Sequence, residues 1–429
     1  MIQSEIYVDK TGMIKYTNSV LDTAQNYVCV SRPRRFGKSM AANMLTAYYS
    51  RGCNSKELFG KFEIAKDKDF EKYLNQYNTI FLNMQEFLSR SHNVEELIDR
   101  VKKLVIRDLK MEYPEVDYFD DTDLIECMQD IYAQMQYPFV VIIDEWDCIF
   151  REYKQDKEAQ EKYLDFLRDL LKDKACIYLS YMTGILPIKK YGTHSALNMF
   201  DEFSMIAPGP LACYVGFTEQ EVKKLCEQYR MDMEEVKNWY DGYSFPNAKS
   251  IYNPNSVMKA LRNDDFDSYW TQTSAAESLM EYISLDYDGL SKTIAELIGG
   301  IEVEVDTSGF SNDLVTFREK DDVLTLLIHL GYLAYDKETE KVHIPNEEIK
   351  REFSRTIRGV RRNETIQRVR ESDQIISDTV HMNADAVAAQ IEKIHTEETT
   401  ALFPFPWEND SIMYCPLFAR FVRQRERKQ

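Results

Sequence analysis

No stretch of this sequence approaches 18 consecutive apolar residues, so a membrane-spanning helix is not expected. The opening "MIQSEIYVDK" carries no apolar core of a secretory signal. Both absences point to a soluble chain in the cytoplasmic compartment. The eight cysteines form no C-x-x-C pair, and several sit in apolar runs, such as Cys29 in "YVCV" and Cys176 in "ACIYL". That pattern argues against a zinc site and for free thiols in a reducing compartment. The six histidines are scattered singly, with none at metal-ligand spacing. Positive charge is in deficit, 53 Lys and Arg against 72 Asp and Glu, for a net charge of −19. A field of that sign disfavours nonspecific contact with phosphate backbones, so nucleic acid is not the default partner. No internal repeat or low-complexity tract is apparent.

What is present is ordinary globular material, 44% hydrophobic and 29% charged, which excludes general disorder. At roughly 150 residues per domain, 429 residues allow two or three domains. Up to about residue 210, short apolar runs alternate with helical patterns, which predicts a parallel sheet with crossover helices. Strands are expected at 26–30, 78–84, 138–146, 175–184 and 201–209, and helices at 94–111, 122–136 and 156–173. From 216 onward the pattern reads as helices with charged faces, the first opened by a Thr218–Glu221 capping box. Residues 321–353 read as helix, strand, turn, strand, helix.

The motif with chemical meaning is "NYVCVSRPRRFGKSMAANML", residues 26–45. Gly37, Lys38 and Ser39 end it like a phosphate-binding P-loop, but Arg32 stands where G-x-x-x-x-G-K-[ST] has its first glycine. In such loops backbone N–H groups and a helix N-terminus surround the phosphates. The lysine neutralises them, and the next hydroxyl ligates Mg2+. Arg32 and Pro33 cannot reach φ > 0 as freely as glycine, so the loop must differ in shape, with Arg34 and Arg35 as added cations. The plainer alternative is a basic, solvated turn. Strand before and helix after favour the phosphate reading, with contacts from Arg32, Arg34, Arg35, Phe36, Gly37, Lys38, Ser39 and Met40.

About a hundred residues on, "VVIIDEW" closes an apolar run with two acids. Asp144 is placed to hold Mg2+ together with Ser39, and Glu145 to polarise the attacking water as general base. Thr183, at the tip of "YLSYMTG", either contacts the γ-phosphate or water or satisfies its own loop. Asp147 is expected to cap the next helix more than to position the site. Arg151 and Arg90 are placed by sequence alone, and no arginine finger is assigned.

These segments resemble the bacterial AAA-ATPase-like proteins that commonly carry a C-terminal PD-(D/E)XK nuclease domain. The residues carrying the resemblance are "YVDKT" (7–11), "SRPRRFGKS" (31–39), "VVIIDE" (140–145), "YMTGILPIKKYGTHSALNMF" (181–200), "WYDGYSF" (239–245), "IYNPNSV" (251–257), "LLIHLGYLAYD" (326–336) and "IPNEEI" (344–349). Members characteristically have "RPRRFGKS" in place of the first glycine, which makes Arg32 the family's own form of the loop. The resemblance implies an α/β fold: a P-loop NTPase core with a parallel sheet and flanking helices (1–215), a helical lid (216–300) and a winged-helix-like α+β module (301–353). Residues 354–429 would form a helical linker and either a truncated nuclease remnant or the charged helix terminus of a natural short variant, since "ALFPFPWENDSIMYCPLFARFVRQRERKQ" holds no D…ExK strand pair. ATP and Mg2+ are the implied ligands, with Lys38 and Ser39 at the phosphates and metal, Asp144 in the metal shell and Glu145 as base.

Three functions stand open: ATP hydrolysis driving a conformational switch, a nucleotide-dependent scaffold with negligible turnover, and nucleic-acid binding through the 321–350 segment. The "KDD", "DKETE" and "NEE" of that segment favour a protein partner or self-association over DNA.

Overall fold

Phe139–Ile143, the most apolar run in the chain, is fully buried in an inner strand of a five-stranded sheet. The computed structural model describes residues 5–188, 197–270, 289–311, 314, 317–359, 374–376 and 378–399. The sheet strands are β1 (Tyr27–Ser31), β2 (Asn78–Asn83), β3 (Phe139–Asp144), β4 (Ile177–Gly184) and β5 (Asp201–Phe203), in the order β2-β3-β4-β1-β5. All four pairings are parallel, as the continuous apolar runs imply. The carboxyl ends of β1, β3 and β4 therefore lie side by side, and in open α/β sheets ligands bind at that edge. The amphipathic helices Val94–Glu112, Leu124–Met135 and Lys157–Leu171 stand where the periodicity predicts them. Among the described residues, no helix is long and apolar enough to cross a membrane.

Residues 217–252 depart from the helical expectation for 216–300. Three short strands, β6 (Phe217–Thr218), β7 (Tyr243–Phe245) and β8 (Ala248–Tyr252), form an antiparallel sheet in the order β6-β8-β7. Strands of two to five residues are too short to show alternation above a helical background. The capping box is present as read, with Thr218 accepting from Glu221 N and Glu221 accepting from Thr218 N. Further on, Lys320–Leu330, Ala334–Asp336, Lys341–His343 and Glu347–Gly359 give the expected order of helix, two strands and helix. The two strands pair antiparallel.

The chain divides into two compact units, residues 1–269 with 305–348 and residues 270–304 with 349–429. The second contributes the helices Leu290–Ile298 and Ala384–Thr399 to the description. The 400–429 tail, with the expected nuclease remnant, lies outside the described residues, as does 189–196 of the "YMTGILPIKKYGTHSALNMF" segment.

Two resemblance motifs turn out to be structural clasps. In "YVDKT", Asp9 accepts from Thr11 N and Oγ1 and from Glu63 N, while Lys10 donates to Cys213 O and pairs with Glu221 at 2.6 Å. In "WYDGYSF", Gly242 has φ +120, and a Cβ there would lie 2.2 Å from Pro345 O. Gly242→Ala meets both left-handed backbone strain and a backbone collision, and should destabilise the protein by about 2 kcal/mol or more in denaturant unfolding. An unchanged unfolding midpoint would show that the loop can open at little cost.

Candidate functional site

The helix Lys38–Tyr49 starts directly after β1, with Gly37 as N-cap at φ 94 and no side-chain cap on its first turn. Uncapped first-turn N–H groups at the carboxyl edge of a parallel sheet form an anion-binding end. The absence of glycine at position 32 has a direct explanation. The left-handed positions of the loop are Arg35 (φ 67) and Gly37 (φ 94), while Arg32 is not among the positive-φ residues.

Arg32 does not turn toward this end. It is fully buried, donates through Nη1 to Phe203 O at 2.8 Å and to Ser31 O at 2.9 Å, and lies over the Phe245 ring at 5.3 Å. Burial lowers its pKa to about 10. Arg32 thus holds β5 and β7 against β1, and its side chain is taken up by these contacts. Phe36 is likewise buried, edge-on to Tyr243 with centroids 5.4 Å apart. Tyr243 in turn donates to Gly331 O at 2.6 Å. Exposed Arg35 donates to Tyr269 O at 3.4 Å. Ser39 and Met40 are exposed on the first turn of the helix.

Lys38 is buried, and its Nζ donates to Pro33 O at 2.8 Å. Burial lowers its pKa, opposed by the charges of Glu145, Asp147 and Asp144. Arg34 is also held below the usual arginine range, first by burial and then by Arg151. The acids come from the end of β3. Asp144 is fully buried; Oδ1 accepts from Glu145 N at 3.1 Å, and Oδ2 has no hydrogen-bond partner. Burial raises its pKa, which the Ser39 hydroxyl opposes and the charge of Glu145 reinforces. Thr183 sits beside Asp144 in the β3–β4 register, also fully buried, with Oγ1 unpartnered. The structure therefore brings together Lys38, Ser39, Asp144, Glu145 and Thr183 from three separate strand ends.

Asp147 corrects an expectation. It precedes the helix Cys148–Glu152 but makes no side-chain cap. Its Oδ2 instead accepts from Ile185 N at 3.0 Å and Leu186 N at 2.9 Å, fixing the chain beyond β4. Gly184 is required by the same turn, since a Cβ would lie 2.7 Å from Asp147 Oδ1 and from the Trp146 ring. Arg151, left without a role in the sequence reading, pairs with Glu145 and lies 3.4 Å from Asp147 Oδ2. Its only advance signal is spacing, since an arginine four residues after Asp147 falls on the same helical face. Arg90 pairs with Glu86 on an exposed surface. Among the described residues, no group of three His, Cys, Asp or Glu side chains forms a metal cage.

Residues 1–193 match the family model described as predicted AAA-ATPase. That stretch holds β1 to β4 and every residue gathered at this edge. No curated protein matches the chain. A Walker-type ATPase of Pyrococcus abyssi is 13% identical, with 80% of this chain and 94% of that one covered and a TM-score of 0.40. The ORC2 protein of Aeropyrum pernix, in ADPNP–ADP complexes, is 11% identical over 83% of this chain and 96% of that one, with a TM-score of 0.36. Cdc6p from Pyrobaculum aerophilum is 10% identical over 83% and 97%, with a TM-score of 0.29.

Proposed function

We propose that this chain, whose residues 1–193 match a predicted AAA-ATPase family, binds ATP with Mg2+ at the carboxyl edge of its sheet and hydrolyses it. The observation that carries the reading is the convergence of an uncapped helix N-terminus and Lys38 with the paired acids Asp144 and Glu145. Lys38 neutralises the β- and γ-phosphates, and the first-turn N–H groups surround them. Arg34, Arg35 and Gly37 complete the loop around them.

Mg2+ fits the donor set. Asp144 Oδ2 and Thr183 Oγ1 are buried oxygens without partners, and Ser39 lies close enough to Asp144 to oppose the rise in its pKa. Hard oxygen donors with a single carboxylate suit an ion that keeps waters and phosphate oxygens in its shell. Ser39 and Asp144 would hold it, and when bound it supplies charge neutralisation at the phosphates. Glu145 accepts the proton of the attacking water, and Thr183 orients that water or the γ-phosphate.

The reading extends to a nucleotide-driven switch in which the acidic 301–353 segment acts as a winged-helix-like contact for a protein partner or a second copy of the chain. Support comes from its helix–strand–strand–helix order and from the buried contact of Phe36 with Tyr243, whose hydroxyl reaches Gly331. A second reading, ATP as a switch ligand with negligible turnover, draws on the arginine that already occupies one oxygen of Glu145. The test is phosphate release from ATP by the purified chain. Hydrolysis should require Mg2+ and stop on chelation. Stoichiometric binding without release would favour the switch ligand, and neither binding nor release would refute both.

A further inference from the structure

Hydrolysis at this edge assigns tasks to Lys38, Ser39, Asp144, Glu145 and Thr183 but none to Arg151. Its side chain is only 14% exposed, and one guanidinium serves two carboxylates. Nη2 donates to Glu145 Oε2, and Nε faces Asp147 Oδ2 at 3.4 Å. Burial opposes its charge, but Asp147 and Glu145 outweigh burial, and its pKa is raised. The backbone on which Glu145 stands is equally constrained. Glu145 has φ 56, a conformation that non-glycine residues hold only where the surroundings enforce it. Here Glu145 N donates to Asp144, Cys148 N donates to Glu145 O, and Trp146 N donates to Thr183 O.

The free parts of Glu145 are as informative as the bound ones. Arg151 takes Oε2 only; among the described residues Oε1 makes no hydrogen bond, and the side chain is 25% exposed. A carboxylate held by one oxygen and open at the other is arranged to receive a proton from a water in a fixed direction. Asp147 holds the other side of Arg151 and, through Ile185 N and Leu186 N, the chain after Thr183. Arg151 thus ties together two carboxylates that follow β3, and one of them, Asp147, holds the chain beyond β4.

We propose that Arg151 is a positioning residue for ATP hydrolysis, which anchors Oε2 of Glu145 so that Oε1 faces the attacking water. The proposal rests on the hydrolysis reading above. It assigns Arg151 no contact with the nucleotide, so its loss should appear in turnover and not in binding.

The experiment compares Arg151→Gln, Arg151→Lys, Glu145→Gln and the double variant Arg151→Gln/Glu145→Gln by steady-state ATP hydrolysis, nucleotide binding and thermal unfolding without nucleotide. Arg151→Gln should lower kcat at least about tenfold with KM and nucleotide affinity within about threefold of wild type. Arg151→Lys, which keeps the charge, should recover part of the loss. In the double variant, Arg151→Gln should cost no further turnover, because nothing is left to aim. Without nucleotide, the two single substitutions should lower the unfolding midpoint by less in combination than the sum of their separate shifts.

Unchanged kcat in Arg151→Gln overturns the proposal, as does a rise in kcat, which would make Arg151 a restraint on Glu145. Additive losses of turnover, or additive midpoint shifts, also overturn it. Glu145→Gln separates the two levels of inference. If that variant hydrolyses ATP normally, the general-base reading falls and takes Arg151 with it. If it is inactive while Arg151→Gln is normal, only the Arg151 proposal falls.

Discussion

Glu145→Gln should reduce steady-state ATP turnover by about 10²- to 10⁴-fold while leaving nucleotide affinity within about threefold of wild type. The glutamine is nearly isosteric and still offers Arg151 a carbonyl oxygen, so the ion-pair geometry at the end of β3 is largely kept. What it cannot do is accept a proton. The charge change also favours binding. Three basic side chains, Lys38, Arg34 and Arg151, are grouped with three acids, Asp144, Glu145 and Asp147, and losing one acid leaves a net positive edge for the phosphates. A binding isotherm beside a single-turnover time course checks both halves. Turnover within about twofold of wild type would remove Glu145 from the chemistry.

Lys38→Ala acts on the same group in the opposite sense, and its expected effect is on binding. The substitution removes the cation nearest the uncapped helix start and leaves three acids facing two arginines. An incoming polyanion then meets a net negative edge. Charge-assisted hydrogen bonds contribute about 1.5–3 kcal/mol each, so ATP affinity should fall by about 10- to 100-fold, with turnover lost in proportion or more. The loop loses the bond from Lys38 Nζ to Pro33 O as well. Unfolding of the nucleotide-free variant must therefore be measured in parallel. A folded Lys38→Ala with wild-type affinity would place the nucleotide elsewhere.

The parts of this structure legible in the sequence are those whose causes are local. Phe139–Ile143 announces a buried parallel strand because both faces must be apolar, and β1, β2 and β4 follow with small shifts of their ends, whereas β5 keeps only the first three of the nine residues expected. The Thr218–Glu221 cap is readable because donor and acceptor lie three residues apart. The position of Lys38, Ser39, Asp144 and Glu145 at strand ends is readable because strand context accompanies each motif, and the Asp144–Thr183 register brings the third strand end beside them.

The failures involve partners distant in the chain. Arg32 looks like a phosphate ligand until Phe203 and Phe245, 171 and 213 residues away in sequence, are seen to hold its side chain. Asp147 reads as a cap because the preference is local, but two N–H groups beyond β4 take its carboxylate. The β6-β8-β7 sheet is invisible because its strands are too short to carry a period.

These contacts also change the meaning of the arginine-rich loop. Arg32 and Phe36 pack against the β7 strand and not against the start of the helix Lys38–Tyr49. The loop keeps its left-handed turns at Arg35 and Gly37 and gains an anchor to residues 243–245.

The most direct measurement is a calorimetric titration of the full chain with ATP in the presence of Mg2+. One ATP should bind per chain, with a dissociation constant in the roughly micromolar to millimolar range common for enzyme substrates, and folded Lys38→Ala should bind markedly more weakly. Absence of binding up to about 1 mM, or identical isotherms for the two proteins, would rule out a nucleotide site at Lys38.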